Sequence, residues 1–160
     1  MKNLKGKRYK TEKLQNTRKF SNSSAKWLRR QLNDPYVVKA KELGYRSRAS
    51  FKIDEIDKKF KLFKKGKRVL DLGSAPGGWS QIAVERVGHG NVIALDILDM
   101  DEIDGVSFIK QDFLEPEAEE KVLTLAGDKK FDVVMSDMAM NTDGDKEVDH
   151  LRTLMLLEAA

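Results

Sequence analysis

Apolar and polar positions fall into two textures along the chain. Residues 1–22 show no apolar period and read as a basic, flexible tail. Over residues 23–66 apolar side chains recur at helical spacing. Ser23 or Ser24 is placed to cap a short helix ending at Leu32. Asp34-Pro35 offers a second helix start, a capping carboxylate followed by proline at the first helical position. Val37, Val38 and Leu43 would line its apolar face, and Gly44 would stop it. A third helix is expected over residues 49–60, with Phe51, Ile53, Ile56 and Phe60 as apolar positions and lysines around its end.

From Arg68 onward the pattern becomes short apolar runs between turns. Residues 68–72, 91–95, 106–109 and 131–135 each read as a strand. Residues 79–87 and 115–125 read as helices between them. Residues 147–160 read as a last helix, with Val148, Leu151, Leu154, Met155 and Ala159 near one stripe. Alternating strands and helices predict an α/β fold: a mostly parallel, doubly wound sheet with helices on both faces and right-handed crossovers. No internal repeat is present.

Composition narrows the classes. At 160 residues, 40% apolar and 35% charged, the chain is sized for one domain with a packed core and a heavily charged surface. It has no cysteine, which excludes disulfides, cysteine-held zinc, iron–sulfur clusters and thiol catalysis. No apolar run approaches the roughly 20 residues of a membrane helix, and the N-terminus lacks the apolar stretch of a secretory signal. The expectation is a cytoplasmic protein with no membrane partner.

Charge changes the picture more. Residues 1–68 hold 23 Lys and Arg against 6 Asp and Glu, whereas residues 69–160 hold 7 against 20. A net charge of +4 therefore conceals a basic front and an acidic back. A basic front suits a polyanion such as nucleic acid; the plainer alternative is a solvated tail that aids solubility.

In a doubly wound sheet, ligands sit beyond the carboxyl ends of the strands. The turn Asp71-Leu-Gly-Ser-Ala-Pro-Gly-Gly-Trp79 lies there after the first strand. Gly73 and Gly77 let backbone approach a ligand with no Cβ in the way. The spacing departs from G-x-G-x-x-G, which disfavours a nicotinamide dinucleotide. Asp96, one residue past the second strand, is placed to hold both ribose hydroxyls of an adenosine ligand. Asp112, after the third strand, is placed to accept from an adenine amino group. Trp79 could pack under the turn or simply anchor its helix. Asp137 follows the fourth strand, and a 3-2-1-4 strand order would crowd Asp71, Asp96, Asp112 and Asp137 onto one rim. Four carboxylates suit a cationic ligand such as the sulfonium of S-adenosylmethionine. They would also suit a metal, a reading in which the glycine turn has no part. His89 and His150 have no ligand partner at useful spacing and read as surface residues.

At these residues the chain resembles the FtsJ family of ribosomal RNA methyltransferases, also called RlmE or RrmJ. Three segments carry the resemblance: Tyr45-Arg-Ser-Arg-Ala-Ser-Phe-Lys52-Ile-Asp-Glu-Ile56, Asp71-Leu-Gly-Ser-Ala-Pro-Gly-Gly-Trp-Ser-Gln81, and Ser136-Asp137-Met-Ala with Asn141. The resemblance implies a Rossmann-like methyltransferase domain over residues 23–160, with a helical part at 23–66 and a cofactor-binding part at 67–160. It implies transfer of a methyl group from S-adenosylmethionine to the ribose 2′-hydroxyl of a uridine in large-subunit ribosomal RNA, within the assembled subunit. Carried over by position, Gly77, Trp79, Asp96, Asp112 and Asp137 contact the cofactor. Lys52 and Asp137 match two members of the family's Lys-Asp-Lys-Glu catalytic set. No metal is required.

The chemistry suits such residues. A ribose hydroxyl is a poor nucleophile and must lose its proton as the methyl group moves. A lysine can accept that proton only if its pKa falls from about 10.4 toward neutrality, through burial or a second cation nearby. An aspartate alongside orients it. The alternative for Lys52 is one more phosphate-binding lysine.

Two departures stand out. Met140 occupies a position where the family usually has proline. The family also continues well past the position of Ala160, into the last strands, a second lysine and a glutamate that nothing here matches. A C-terminally truncated enzyme is the expectation. Its fourth strand would then be an exposed sheet edge open to self-association. The rival reading is a catalytically impaired, cofactor- and RNA-binding fragment.

Overall fold

A computed structural model describes residues 21–127 and 129–138, together with Glu147, His150, Leu154 and Glu158. The basic tail up to residue 20, Met140, Asn141 and most of the last expected helix lie outside the described residues. The four isolated positions in that stretch are helical.

Three helices come first: α1 (Asn22–Leu32), α2 (Pro35–Glu42) and α3 (Ala49–Phe60). The α1 cap is Ser21 rather than Ser23 or Ser24, because Ser21 Oγ accepts the Ser24 amide at 3.2 Å and its carbonyl accepts that of Ala25 at 2.8 Å. Asp34 caps α2 as expected, accepting the Tyr36 amide at 2.8 Å. The buried residue of α2 is Ala40, while Leu43, expected on the core face, is exposed. α3 has the expected span. It buries Ser50, Ile53, Asp54 and Asp57, and leaves Phe60, another expected core position, 60% exposed.

The α/β part follows: β1 (Val69–Leu72), α4 (Gly78–Val87), β2 (Val92–Asp96), β3 (Val106–Lys110), α5 (Pro116–Ala126) and β4 (Val133–Ser136). The strands form one parallel sheet in the order β3-β2-β1-β4, as expected. β2 extends through Asp96, which pairs with Lys110, so that aspartate ends the strand rather than following it. β4 begins two residues later than expected. Asp132 turns its carboxylate onto the Arg68 amide and the Lys67 ammonium, and Phe131 packs beneath the sheet instead of joining the ladder. Among the described residues β4 pairs with β1 alone.

Strand side chains point to opposite faces in turn, and this divides the core in two. Val69, Val92 and Met135 meet Ile53 of α3 and Trp79, Ile82 and Val87 of α4. Leu70, Leu72, Ile93, Leu95 and Ile109 meet Ala118, Val122 and Ala126 of α5. Each fully buried Leu or Ile contributes about 1.5–3 kcal/mol relative to exposure. The two central strands, β1 and β2, are buried on both faces and read as nearly continuous apolar runs, whereas β3 and β4 are only partly covered among the described residues. Among the described residues no helix is long and apolar enough to cross a membrane.

Candidate functional site

The glycine turn leaves β1 against the end of β2. The Gly73 and Ser74 amides both donate to the Leu95 carbonyl, at 2.9 and 3.1 Å. Gly73 has φ +73° and Gly77 φ +99°, backbone that side-chain-bearing residues avoid. The turn is also closely approached. A Cβ on Gly73 would stand 2.2 Å from Met138 Cγ, and one on Gly77 would stand 2.7 Å from Ile103 Cδ1. Asp96 fastens the turn: its Oδ2 accepts the Ala75 amide and its Oδ1 the Leu98 amide, each at 2.8 Å. Each oxygen keeps a lone pair for a ligand hydroxyl.

Asp71 is not on the rim where the sequence places it. It is 1% exposed within β1 and points under α4, where Ser80 Oγ donates to it at 2.6 Å. Burial raises its pKa to about 7, the Ser80 hydroxyl and amide oppose that rise, and the charges of Asp137 and Asp96 add to it. Asp71 therefore serves the helix start, leaving Asp96, Asp112 and Asp137 at the strand ends.

Trp79 is buried, with its Nε1–H on the Ala49 carbonyl at 2.9 Å. It ties the start of α4 to the start of α3, so its side chain anchors helices, and its backbone, at the helix N-terminus, is the part nearest the turn. Lys52 stands one turn into α3, its Nζ 5.3 Å from the Trp79 ring centroid and 2.5 Å from Asp137 Oδ1. The structure thus brings together the lysine and the aspartate that the sequence singles out. Asp112 is exposed after β3, its Oδ1 accepting the Leu114 amide at 3.0 Å.

Four features escape sequence reasoning. Arg46 clamps two segments together, donating to the carbonyls of Asp101 and Glu102 at 2.5 Å each and to that of Pro76 at 3.5 Å. Its position two residues before Arg48 gives no sign of this. Ser74 Oγ is buried with no hydrogen-bond partner among the described residues. Ile97 and Leu98, directly after Asp96, are exposed, as is Leu114 after Asp112. Apolar residues immediately after strand-end carboxylates were the available sign. Met138, after Asp137, fills the space above Gly73.

These residues fit an adenosine ligand. A carboxylate at the end of β2 suits ribose hydroxyls, the exposed Ile97 and Leu98 offer apolar walls, and Asp112 offers an acceptor. The Ser74 hydroxyl, inside the turn, lacks among the described residues the partner that buried polar atoms nearly always have. Among the described residues no group of three or more His, Asp or Glu side chains is placed to hold a metal ion.

Comparison with known proteins agrees with this geometry. A family model described as FtsJ-like methyltransferase matches residues 45–160. A protein of Azorhizobium caulinodans named ribosomal RNA large subunit methyltransferase E is 50% identical over 152 residues, covering 92% of this chain and 63% of that protein. One of the same name from Rickettsia rickettsii is 48% identical over 164 residues, covering 99% of this chain and 72% of that protein. A crystal structure described as a ribosomal RNA methyltransferase of Plasmodium falciparum superposes with a TM-score of 0.66 at 34% identity, over 72% of this chain and 68% of that one. The chain thus spans 63% of the first relative's length. The match takes in the α3 lysine, the glycine turn and the β4 aspartate alike, and on that ground the chain belongs to the FtsJ-like methyltransferases.

Proposed function

We propose that this chain carries the cofactor-binding part and half of the catalytic set of an enzyme that methylates a uridine ribose 2′-hydroxyl in large-subunit ribosomal RNA. The observation that carries this reading is the Lys52–Asp137 pair, held beside the glycine turn at the carboxyl rim of the sheet. Family membership and relatives named for ribosomal RNA methylation support the substrate class.

S-adenosylmethionine, when bound, supplies the activated methyl group. In this reading Asp96 holds its ribose, Asp112 accepts from its adenine amino group, and Gly73, Gly77 and the Trp79 backbone line its approach. Asp137 faces the sulfonium side and fixes the Lys52 ammonium. Lys52 then sits beside the incoming ribose hydroxyl, whose proton must leave as its oxygen bonds to carbon. Lys52 can take that proton only in its amine form. As an ammonium it orients the hydroxyl, and alignment of the reacting atoms supplies much of the rate. Residues 23–66 act as the RNA-facing part and residues 67–160 as the cofactor-binding part.

The test is methyl transfer from labelled S-adenosylmethionine to unmodified large ribosomal subunits by this chain, with the labelled position mapped. Label on a uridine 2′-oxygen is the expected result. Cofactor binding without label would leave a cofactor- and RNA-binding module in its place. Label on a base would overturn the assignment of the ribose hydroxyl.

A further inference from the structure

We propose that the outer face of α3 and the lysine-rich rim below it hold the RNA segment flanking the methylated nucleotide; this rests on the ribosomal RNA reading above. α3 starts at the catalytic end of the sheet and ends at the opposite rim. Its 12 residues cover about 18 Å, with Lys52 in the first turn and Lys59 in the last. A cleft of about 610 Å³ opens along this face. Its walls carry the rings of Tyr36, Phe51 and Phe60 and the cations Arg48, Lys52 and Lys59, against one acid, Glu55.

Below the cleft the charge is concentrated. Residues 58–68 contain seven Lys or Arg and no Asp or Glu. The connection from α5 to β4 brings Lys129 and Lys130 to the same rim, where Arg68 Nη1 donates to the Lys129 carbonyl at 2.6 Å. Among the described residues, two acids nearby are already engaged. Asp54 holds Lys58 and Arg86, and Asp132 holds Lys67 at 2.6 Å. Lys61, Lys64, Lys65, Lys129 and Lys130 are exposed and have no ion-pair partner among the described residues.

Phe60 decides between RNA and a polyanion without bases. It sits at an apolar position of the helix yet is 60% exposed, between the cleft and the lysines. An exposed ring set among cations is a stacking platform for an unpaired base. The opposite flank repels RNA: α5, packed on the β2–β3 side, exposes Glu117, Glu119 and Glu120. The path from Lys52 along α3 is therefore the one that phosphates favour.

The test uses the 160-residue chain with protein-free, unmodified large-subunit ribosomal RNA. Lys64→Glu with Lys65→Glu should weaken binding at least about tenfold and lower the salt-dependence slope by about two, with cofactor affinity and thermal midpoint unchanged. Phe60→Ala should weaken RNA binding about tenfold while leaving heparin binding unchanged. Lys64→Arg with Lys65→Arg should bind as wild type. RNA affinity unchanged in the charge-reversed variant would overturn the proposal. So would loss of anionic-vesicle binding with RNA binding intact. Wild-type chain that binds RNA through these residues but transfers no methyl group would instead overturn the catalytic reading alone.

Discussion

Lys52 Nζ donates to Asp137 Oδ1 at 2.5 Å although 85 residues separate them. Two independent packings create the contact. Trp79 pins the start of α3 to the start of α4 through the Ala49 carbonyl. β4 lies parallel to β1, with Ser136 opposite Leu72, and so delivers Asp137 to the level of the glycine turn. Both side chains keep substantial exposure, 58% and 38%. An exposed ion pair contributes at most about 1 kcal/mol to stability, so stability alone gives little reason for the pair, and the proposed chemistry is what it would serve.

Lys52→Ala and Asp137→Ala should each lower methyl transfer about 100-fold or more, as loss of a positioned proton-handling group does. The double variant should be little worse than either single one, because residues that act as a unit are strongly non-additive. Rates with labelled cofactor check this, and thermal midpoints should move little. Additive losses would mean that the two residues act separately.

Cofactor affinity should depend on Asp96 more than on Asp112. Asp96 carries two backbone hydrogen bonds that shape the turn, so Asp96→Ala removes the proposed ribose contact and loosens Ala75 and Leu98 together. A loss of at least about tenfold is expected, on the scale of a charged hydrogen bond of about 1.5–3 kcal/mol. Among the described residues Asp112→Ala disturbs the Leu114 amide alone, and it should leave the fold unchanged. Titration calorimetry with S-adenosylmethionine ranks the two, and the reverse order would remove Asp96 from the ribose.

Most of the architecture is legible in the sequence because the central strands β1 and β2 are buried on both faces and read as dense apolar runs, set between turns and helices. The exceptions are positions where another partner wins. Phe131 looks like strand, but it packs beneath the sheet with Arg68 stacked on its ring at 5.2 Å. Phe60 and Leu43 look like core and are exposed, since the buried stripes of α2 and α3 run through Ala40, Ser50, Ile53, Asp54 and Asp57. Among the candidate site residues, Lys52, Asp96, Asp112 and Asp137 can be picked out of the sequence because carboxylates after strands and a lysine in a recognisable segment are local features. Arg46 and Met138 are not, because their roles come from segments that only the folded chain brings near.

Gly73 and Met138 should be energetically coupled. Gly73→Ala sets a Cβ 2.2 Å from Met138 Cγ at a residue whose φ is +73°. The backbone cost alone is about 1–2 kcal/mol, and the collision adds to it. Met138→Ala should recover the collision part and leave the backbone part. A double-mutant cycle by chemical denaturation reads both, and strict additivity would show that Met138 swings clear at no cost.

Arg46→Ala should weaken S-adenosylmethionine binding without unfolding the chain. Its guanidinium joins the carbonyls of Pro76, Asp101 and Glu102. Without it the glycine turn and the loop after β2 lose their common tie. Faster proteolysis within residues 97–105, together with about a tenfold affinity loss from a few such hydrogen bonds, is the expected pair of results. Tight cofactor binding by the variant would show that Asp96 alone holds the turn.

The pH dependence of stability should carry the mark of Asp71. Burial lifts its pKa from 3.8 to about 7 in the folded chain. Between those values the folded chain keeps a proton that the unfolded chain has released, so stability falls as pH rises through this window and levels off above it. Asp71→Asn keeps an acceptor for Ser80 and cannot ionise. Its thermal midpoint should therefore exceed that of the wild type above about pH 7, by an amount equivalent to at most about 4 kcal/mol. The gap should close toward about pH 4. If it stayed constant, burial would not have raised the Asp71 pKa at all, and if it opened toward acid, Ser80 and the start of α4 would be holding the carboxylate favourably as an anion.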